Sequence, residues 1–306
     1  MGMIPAAFAK ATIDREGAVG EAWLAELPGI IDEVLTGWGC TPTGEAMHGQ
    51  VGVVIPVEDD RVIKISFPHP GNDYEADAFM AWGGRGAVQL HERDDDRYAM
   101  LLERAHPTTL FDHDDDVVAI AAELHGRLTI PAPEGLPRMS ERADDWEEEL
   151  RKDAAELDHQ LPPYVLDAAL AVVDELGRDQ PEILIHGDFH PRNILRAERE
   201  PWLAVDPKGY VGDPAYDATT FLRTRAAHQL GVDDLISVLD RELELFAEVA
   251  ELDPARIRRW AQLNMVQTAF WGRRYGFGRA RSGGQRDEMV AFVDELAVQW
   301  TDPVRG

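Results

Sequence analysis

Asp188 and Asn193, five positions apart, follow the apolar run Ile183-Leu184-Ile185, and Asp206 follows a second run, Trp202 to Val205. Both runs are short and bounded by turn residues, as buried strands are. Two carboxylates and a carboxamide near strand ends supply hard oxygen donors of the kind magnesium prefers, and so a place for a phosphate. In this order the first Asp can receive or orient a hydroxyl while the Asn and the later Asp hold the metal, an arrangement that serves phosphoryl transfer. Acidic turn residues after two buried strands occur in many α/β proteins. Three chemically linked positions in one register favour chemistry over coincidence.

Lys64 is the next informative residue. It ends Val62-Ile63-Lys64 in a run of strand-forming residues, at the place of the V-A-I-K lysine that holds α- and β-phosphates in kinases. An ammonium there needs a counter-charge. Glu75, in the helical stretch Asn72 to Met80, is the candidate partner, with Asp77 second; Asn72 or Asp73 is the expected cap. A lysine snorkelling from a sheet edge is the plainer alternative.

The quoted motifs carry a resemblance. His186-Gly187-Asp188-Phe189-His190-Pro191-Arg192-Asn193, followed by Val205-Asp206-Pro207-Lys208-Gly209-Tyr210-Val211-Gly212-Asp213-Pro214-Ala215-Tyr216-Asp217, resembles the aminoglycoside phosphotransferase family. The D-P-K-x-x-x-G-D-P-x-x-D form is similar to its aminoglycoside/hydroxyurea antibiotic resistance kinase branch. The motifs run from about Ala46 to about Leu222. The resemblance implies an α+β, two-lobed protein-kinase-like fold: an N-terminal lobe with an antiparallel sheet over residues 1–104, and a mostly helical C-terminal lobe over 105–306. It implies ATP and Mg2+ as cofactors, lying between the lobes, and a small-molecule acceptor. Asp188 would act on the acceptor hydroxyl, Asn193 and Asp206 on magnesium, and Lys64, held by Glu75, on the donor phosphates. The main chain of Glu103 and Ala105 would bind adenine. His186 and His190 would fix the catalytic loop, and Asp213 and Asp217 would brace it. Arg192 stands where many relatives carry glycine. The acceptor implied is an aminoglycoside-type, streptomycin-like antibiotic or hydroxyurea; a kinase of another small metabolite and a non-catalytic nucleotide-binding relative are the alternatives.

Composition sets the bounds around these residues. The chain has 306 residues, 44% of them hydrophobic, and a net charge of −27. That charge disfavours nucleic acid as a partner and suits a cationic or neutral small molecule. No apolar run approaches the ~20 residues of a membrane span. The N-terminal residues lack a basic start and apolar core, so no signal peptide is expected. Cys40 is the single cysteine, which fits a reducing, cytoplasmic setting.

The elements that must position the motifs follow from periodicity. Residues 1–39 have helical spacing, with a break or kink expected at Pro28-Gly29. Val51–Val57 and Arg61–Ile65 flank Glu58-Asp59-Asp60 as a hairpin. Gly86–Leu90 and Tyr98–Leu102 read as two further strands, separated by the charged run Glu92–Arg97, a solvated turn. Gly44, Gly49 and Gly52 lack the spacing of a kinase glycine loop. Asp116, Asp233 and Asp253 are expected helix caps, the last with Pro254 in the first turn. Glu141 to Asp158 carries nine acids against three bases, and Ala255 to Arg286 carries eight arginines and no acid. The acids read as a solvated helix face, with the acceptor site of the family as the sharper alternative. The arginines are expected to pair with acidic neighbours, the alternative being a site for a phosphate or carboxylate. Trp271, Tyr275 and Phe277 are candidate aromatics for an acceptor pocket.

Overall fold

The structure, a computed structural model, describes residues 4–113, 116–229, 231–277 and 284–301. The chain divides into two compact units, Met1–Leu110 with Ile194–Lys208, and Phe111–Asn193 with Gly209–Gly306. Among the described residues no helix is long and apolar enough to cross a membrane.

The first unit opens with two helices, α1 (Ala6–Glu16) and α2 (Ala18–Gly37). The break lies at Gly17, not at Pro28-Gly29. Gly17 takes φ 62°, ψ −136°, which a glycine adopts readily and a helix cannot. Pro28 stays inside α2, because a proline φ suits the helix even where its missing N–H removes one bond.

Five strands follow, β1 (Met47–His48), β2 (Gly52–Val57), β3 (Arg61–Ser66), β4 (Leu90–Asp94) and β5 (Ala99–Glu103). They form one antiparallel sheet in the order β1-β2-β3-β5-β4. Lys64 sits on central β3, opposite Val54 and Met100. One face of the sheet packs Val53, Ile55, Ile63, Ile65 and Leu101 against Phe8, Trp23, Leu27 and Ile31 of the two helices. The expected Gly86–Leu90 strand is displaced: Ala87 instead bridges Ala204, and β4 runs through Glu92, Arg93 and Asp94. This is the charged edge of the sheet, a position where charge deters pairing with other chains.

Helix α3 (Glu75–Trp82) starts with Tyr74 at its cap and no side-chain cap bond. The expected caps are engaged elsewhere: Asn72 donates to the Phe67 carbonyl and Asp73 accepts from the Tyr98 hydroxyl. The returning segment, Ile194–Arg196 paired with Trp202–Ala204, completes this unit.

The second unit is mostly helical: α4 (Val117–Leu128), α5 (Ala143–Glu156), α6 (Pro163–Val172), α7 (Pro214–His228), α8 (Leu235–Ala250), α9 (Pro254–Tyr275) and α10 (Gly284–Thr301). A small antiparallel sheet of Tyr210–Val211, Ile183–Ile185 and Ile130–Pro131 carries the start of the catalytic loop. Asp253 caps α9 through the Ala255 amide, with Pro254 in the first turn. Asp116 precedes α4 in a left-handed conformation without a cap bond. At α8 the cap position is Asp234 rather than Asp233, and its carboxylate takes the Ser237 hydroxyl.

Candidate active site

In the first unit the charged chemistry converges on Lys64. Its Nζ lies 2.5 Å from Glu75 Oε1 and 2.5 Å from Asp206 Oδ1. Lys64 is 7% exposed and Glu75 2%. Burial alone would drive the ammonium toward its neutral form, but the carboxylates of Asp206 and Glu75 outweigh it and hold the lysine protonated. The paired carboxylate on α3 is thus Glu75; Asp77 pairs with Arg93 at 2.8 Å.

Asp206 has φ 58°, a left-handed conformation that Asp tolerates better than most residues. Its carboxylate is 42% exposed, and a side chain on Gly49 would begin 4.0 Å from its Oδ2. That places the turn before β2 beside Asp206, although the glycine spacing was uninformative.

Sequence reasoning gave no role to Lys208. Its charge acts on Glu75, and a methyl group on Gly71 would come within 3.6 Å of its ammonium. One signal was available: the chain has only four lysines, and two of them stand in this cluster. Glu103 donates its N–H to Gln89 at 2.8 Å, and its carboxylate holds Arg199. Ala105 follows in the segment where His106 takes Glu198 at 2.8 Å.

In the second unit the loop after Ile185 is braced through its backbone. Asp217, in the first turn of α7, accepts the His186 N–H at 2.7 Å and the Gly187 N–H at 2.8 Å. Burial pushes its carboxyl up to about 7; the two amides oppose this, and the negative charges of Asp188 and Asp213 add to it. Gly187 at φ 80° makes the reversal. Asn193 reaches back with Nδ2 to the Asp188 carbonyl at 3.0 Å. The Asp188 side chain is left 34% exposed, with His190 Nε2 at 3.7 Å from Oδ1.

Asp213 caps α7 through the Ala215 amide and takes Arg256 and the Trp260 indole N–H, both at 2.5 Å. It positions the helix that carries Asp217.

The same unit holds a cavity of about 1430 Å³, lined in part by Phe111, Trp146, Arg192, Tyr216 and the foreseen Trp271, Tyr275 and Phe277. The arginine-rich stretch mostly pairs with acids. Arg256 holds Asp213, Arg258 Asp240, Arg259 Glu175, Arg273 Asp294, and Arg274 Asp153 and Glu156. Arg286 donates to the carbonyls of Gly272 and Arg273. Arg279 and Arg281 lie outside the described residues.

A buried lysine held by a helix carboxylate on a five-stranded sheet, and a loop Asp with an Asn five positions on, are the parts of a kinase. The sequence profile described as aminoglycoside/hydroxyurea antibiotic resistance kinase matches residues 37–276. The streptomycin 6-kinase of Streptomyces glaucescens is 32% identical over 311 residues, 99% of this chain and 97% of that one. The hydroxyurea phosphotransferase of Kitasatospora aureofaciens is 33% identical over 279 residues, 88% of this chain and 79% of that one. Among solved structures, the GDP complex of aminoglycoside 2'-phosphotransferase-IIIa aligns with TM-score 0.57 at 13% identity, covering 88% of this chain and 97% of that one. The choline kinase LicA of Streptococcus pneumoniae aligns with TM-score 0.53 at 14% identity, covering 90% and 99%. These two likenesses show a protein-kinase-like fold. The chain is a small-molecule phosphotransferase and belongs to the aminoglycoside/hydroxyurea antibiotic resistance kinase family.

Proposed function

We propose that this protein moves the γ-phosphoryl group of ATP to a hydroxyl of a small antibiotic-type molecule, with Asp188 as the acceptor-facing carboxylate. The observation that carries the reading is the buried Lys64, held between Glu75 and Asp206. A buried ammonium shared by two carboxylates is a ready partner for the α- and β-phosphates of a nucleotide. The main chain of Glu103 and Ala105 is the proposed adenine contact, and the first unit the proposed nucleotide lobe.

In the reaction, the acceptor oxygen forms a bond to the γ-phosphorus as the bond from that phosphorus to the bridging oxygen of ADP breaks. The hydroxyl proton passes to the Asp188 carboxylate. Asp217 and Asn193 fix the backbone from which Asp188 projects, so the carboxylate meets the hydroxyl in a set orientation. Lys64 stabilises charge that grows on the leaving ADP.

The donor set fits magnesium. With its Nδ2 donated to the Asp188 carbonyl, Asn193 presents its side-chain oxygen as the remaining acceptor, and Asp206 offers a half-exposed carboxylate. Magnesium is commonly bound by one or two protein oxygens together with phosphates. Asn193 and Asp206 would hold the ion, which would neutralise phosphate charge.

The names of the relatives supply streptomycin and hydroxyurea as first candidate acceptors. A different small metabolite is the second reading, favoured by Arg142, Arg192 and Arg223 on the cavity lining, which form no ion pair among the described residues. Incubation with ATP and magnesium, followed by mass spectrometry of each candidate, tests the reaction: one added phosphoryl group is expected on the true acceptor. A chain that binds no adenine nucleotide would overturn the reading.

A further inference from the structure

Most arginines of the second unit hold a carboxylate, whereas three on the lining of its cavity do not. Arg225, Arg256, Arg258, Arg259, Arg273 and Arg274 each hold a carboxylate. Arg142, Arg192 and Arg223 all line the cavity, and among the described residues none of them forms an ion pair. Two of them, Arg142 and Arg192, are set beside aromatic rings. The Arg192 guanidinium lies 3.6 Å from the centre of the Phe111 ring, which also meets His228 in a T-shaped contact with ring centroids 4.3 Å apart. Arg142 stands 5.7 Å from the Trp146 ring, and Trp146 stacks on Tyr216 at 6.2 Å and 12°. The charges of Arg142 and Arg223 both reach the Tyr216 hydroxyl.

Like charges on one cavity lining repel one another, and none of these three is held by a carboxylate among the described residues. Stacking on the Phe111 face holds the Arg192 guanidinium while leaving its N–H groups available. The chain has ample acid to neutralise them, with 57 Asp and Glu against 30 Lys and Arg, yet here it does not. Of the carboxylates on the same lining, Asp153 is taken by Arg274, and Glu149 and Glu288 are exposed, as Arg142 and Arg192 are, and form no ion pair among the described residues. A polycationic antibiotic would add positive charge to this wall. An oxyanion would remove the repulsion and accept paired N–H bonds.

We propose that the acceptor carries an oxyanionic group, a carboxylate or a phosphate, which Arg142, Arg192 and Arg223 bind while a hydroxyl of the same molecule is presented to Asp188. This rests on the kinase reading for the hydroxyl and adds the charge of the acceptor. Arg192 links the two, because it lies in the loop between Asp188 and Asn193.

The test uses the full chain saturated with a non-hydrolysable ATP analogue and magnesium, so that added anions meet a filled nucleotide site. Acetate and inorganic phosphate are titrated separately while tryptophan fluorescence is recorded, since Trp146 and Trp271 line the cavity. Saturable binding of at least one is expected, and the stronger of the two identifies the source of the oxyanion. The double variant Arg192→Gln with Arg223→Gln should weaken it about tenfold or more. Arg241→Gln, an exposed arginine outside the cavity lining, should not change it. No saturable anion binding, or equal binding by wild type and double variant, overturns the proposal. So does saturable streptomycin binding of equal strength in wild type and double variant. Failure of the nucleotide analogue to bind would instead strike the kinase reading, and thermal melting of each variant separates lost binding from lost folding.

Discussion

The two units handle charge in opposite ways. In the first, Lys64, Glu75 and Asp206 satisfy one another at 2.5 Å in a largely buried cluster, so a ligand must exchange places with a partner already bound. In the second, Asp217 spends its carboxylate on backbone amides, and the Asp188 side chain is left half-exposed. The Lys64 cluster is built by pairing of side chains, and the Asp188 loop by fixing of the main chain. Substitutions should therefore cost stability in the first unit and rate in the second.

The largest effect is expected from Asp188→Asn. Turnover should fall roughly 10²–10⁴-fold, with nucleotide affinity nearly unchanged, because the side chain supports little of the fold. Near-normal turnover on a verified acceptor would break the contrast at its centre.

Lys64→Met should act on both stability and binding. Removing one partner of a buried pair costs about 3–5 kcal/mol, and each charged hydrogen bond lost to phosphate is worth ~1.5–3 kcal/mol, roughly tenfold to a hundredfold in affinity for ATP. Adding Glu75→Leu should restore much of the stability and none of the affinity. Denaturant melts with nucleotide titrations decide this, and recovery of both together would show that Lys64 is structural.

Asp217→Asn tests the brace through pH. The folded carboxyl, at about 7, lies above its ordinary value of 3.8, so the native state binds the proton more tightly than the unfolded chain. Stability of the wild type should then fall as pH rises from about 4 to about 7, by about 2–4 kcal/mol at most. The Asn variant lacks this titration, so its Tm relative to wild type should climb across that window and level off above it. A flat difference would mean that Asp217 is not buried as an acid.

Asp206→Asn should weaken magnesium-dependent nucleotide binding more than Asn193→Ala, since magnesium favours a full carboxylate charge. Calorimetry with and without the metal compares them, and equal magnesium dependence in wild type and the Asp206 variant would remove that ligand. The smallest effect belongs to Arg259→Gln. Its pair with Glu175 is exposed and should contribute about 0–1 kcal/mol, with no change in acceptor KM.

Much of the Lys64 cluster was readable because its parts are local. Lys64 closes a strand pattern, Glu75 opens a helix eleven positions on, and Asp206 ends an apolar run. The pairing of Lys64 with Asp206 was not readable, because it joins residues 142 positions apart through the path of the chain. The arginines misdirected attention for a related reason. Their density between residues 255 and 286 stood out in the sequence, yet those described pair with acids or carbonyls. Three that line the cavity and form no ion pair among the described residues, Arg142, Arg192 and Arg223, are dispersed over separate elements, and only the fold brings them to one lining. Helix starts misread in the same manner: Asp73 and Asp116 have the right chemistry for caps, but backbone conformation and competing partners used them otherwise.

Neither unit is encoded by one uninterrupted stretch of the gene. The chain leaves the second unit at Asn193, contributes fifteen residues to the first, and returns at Gly209. A fragment ended at Leu110 would lack Ala204, which bridges Ala87 and accepts the Val88 N–H, and would strip Lys64 of Asp206. Deletion mapping would thus report loss of folding at almost any cut, whatever the role of the removed residues. Separate expression of the first unit calls for a rearranged gene in which the codons for Ile194–Lys208 are spliced behind Leu110.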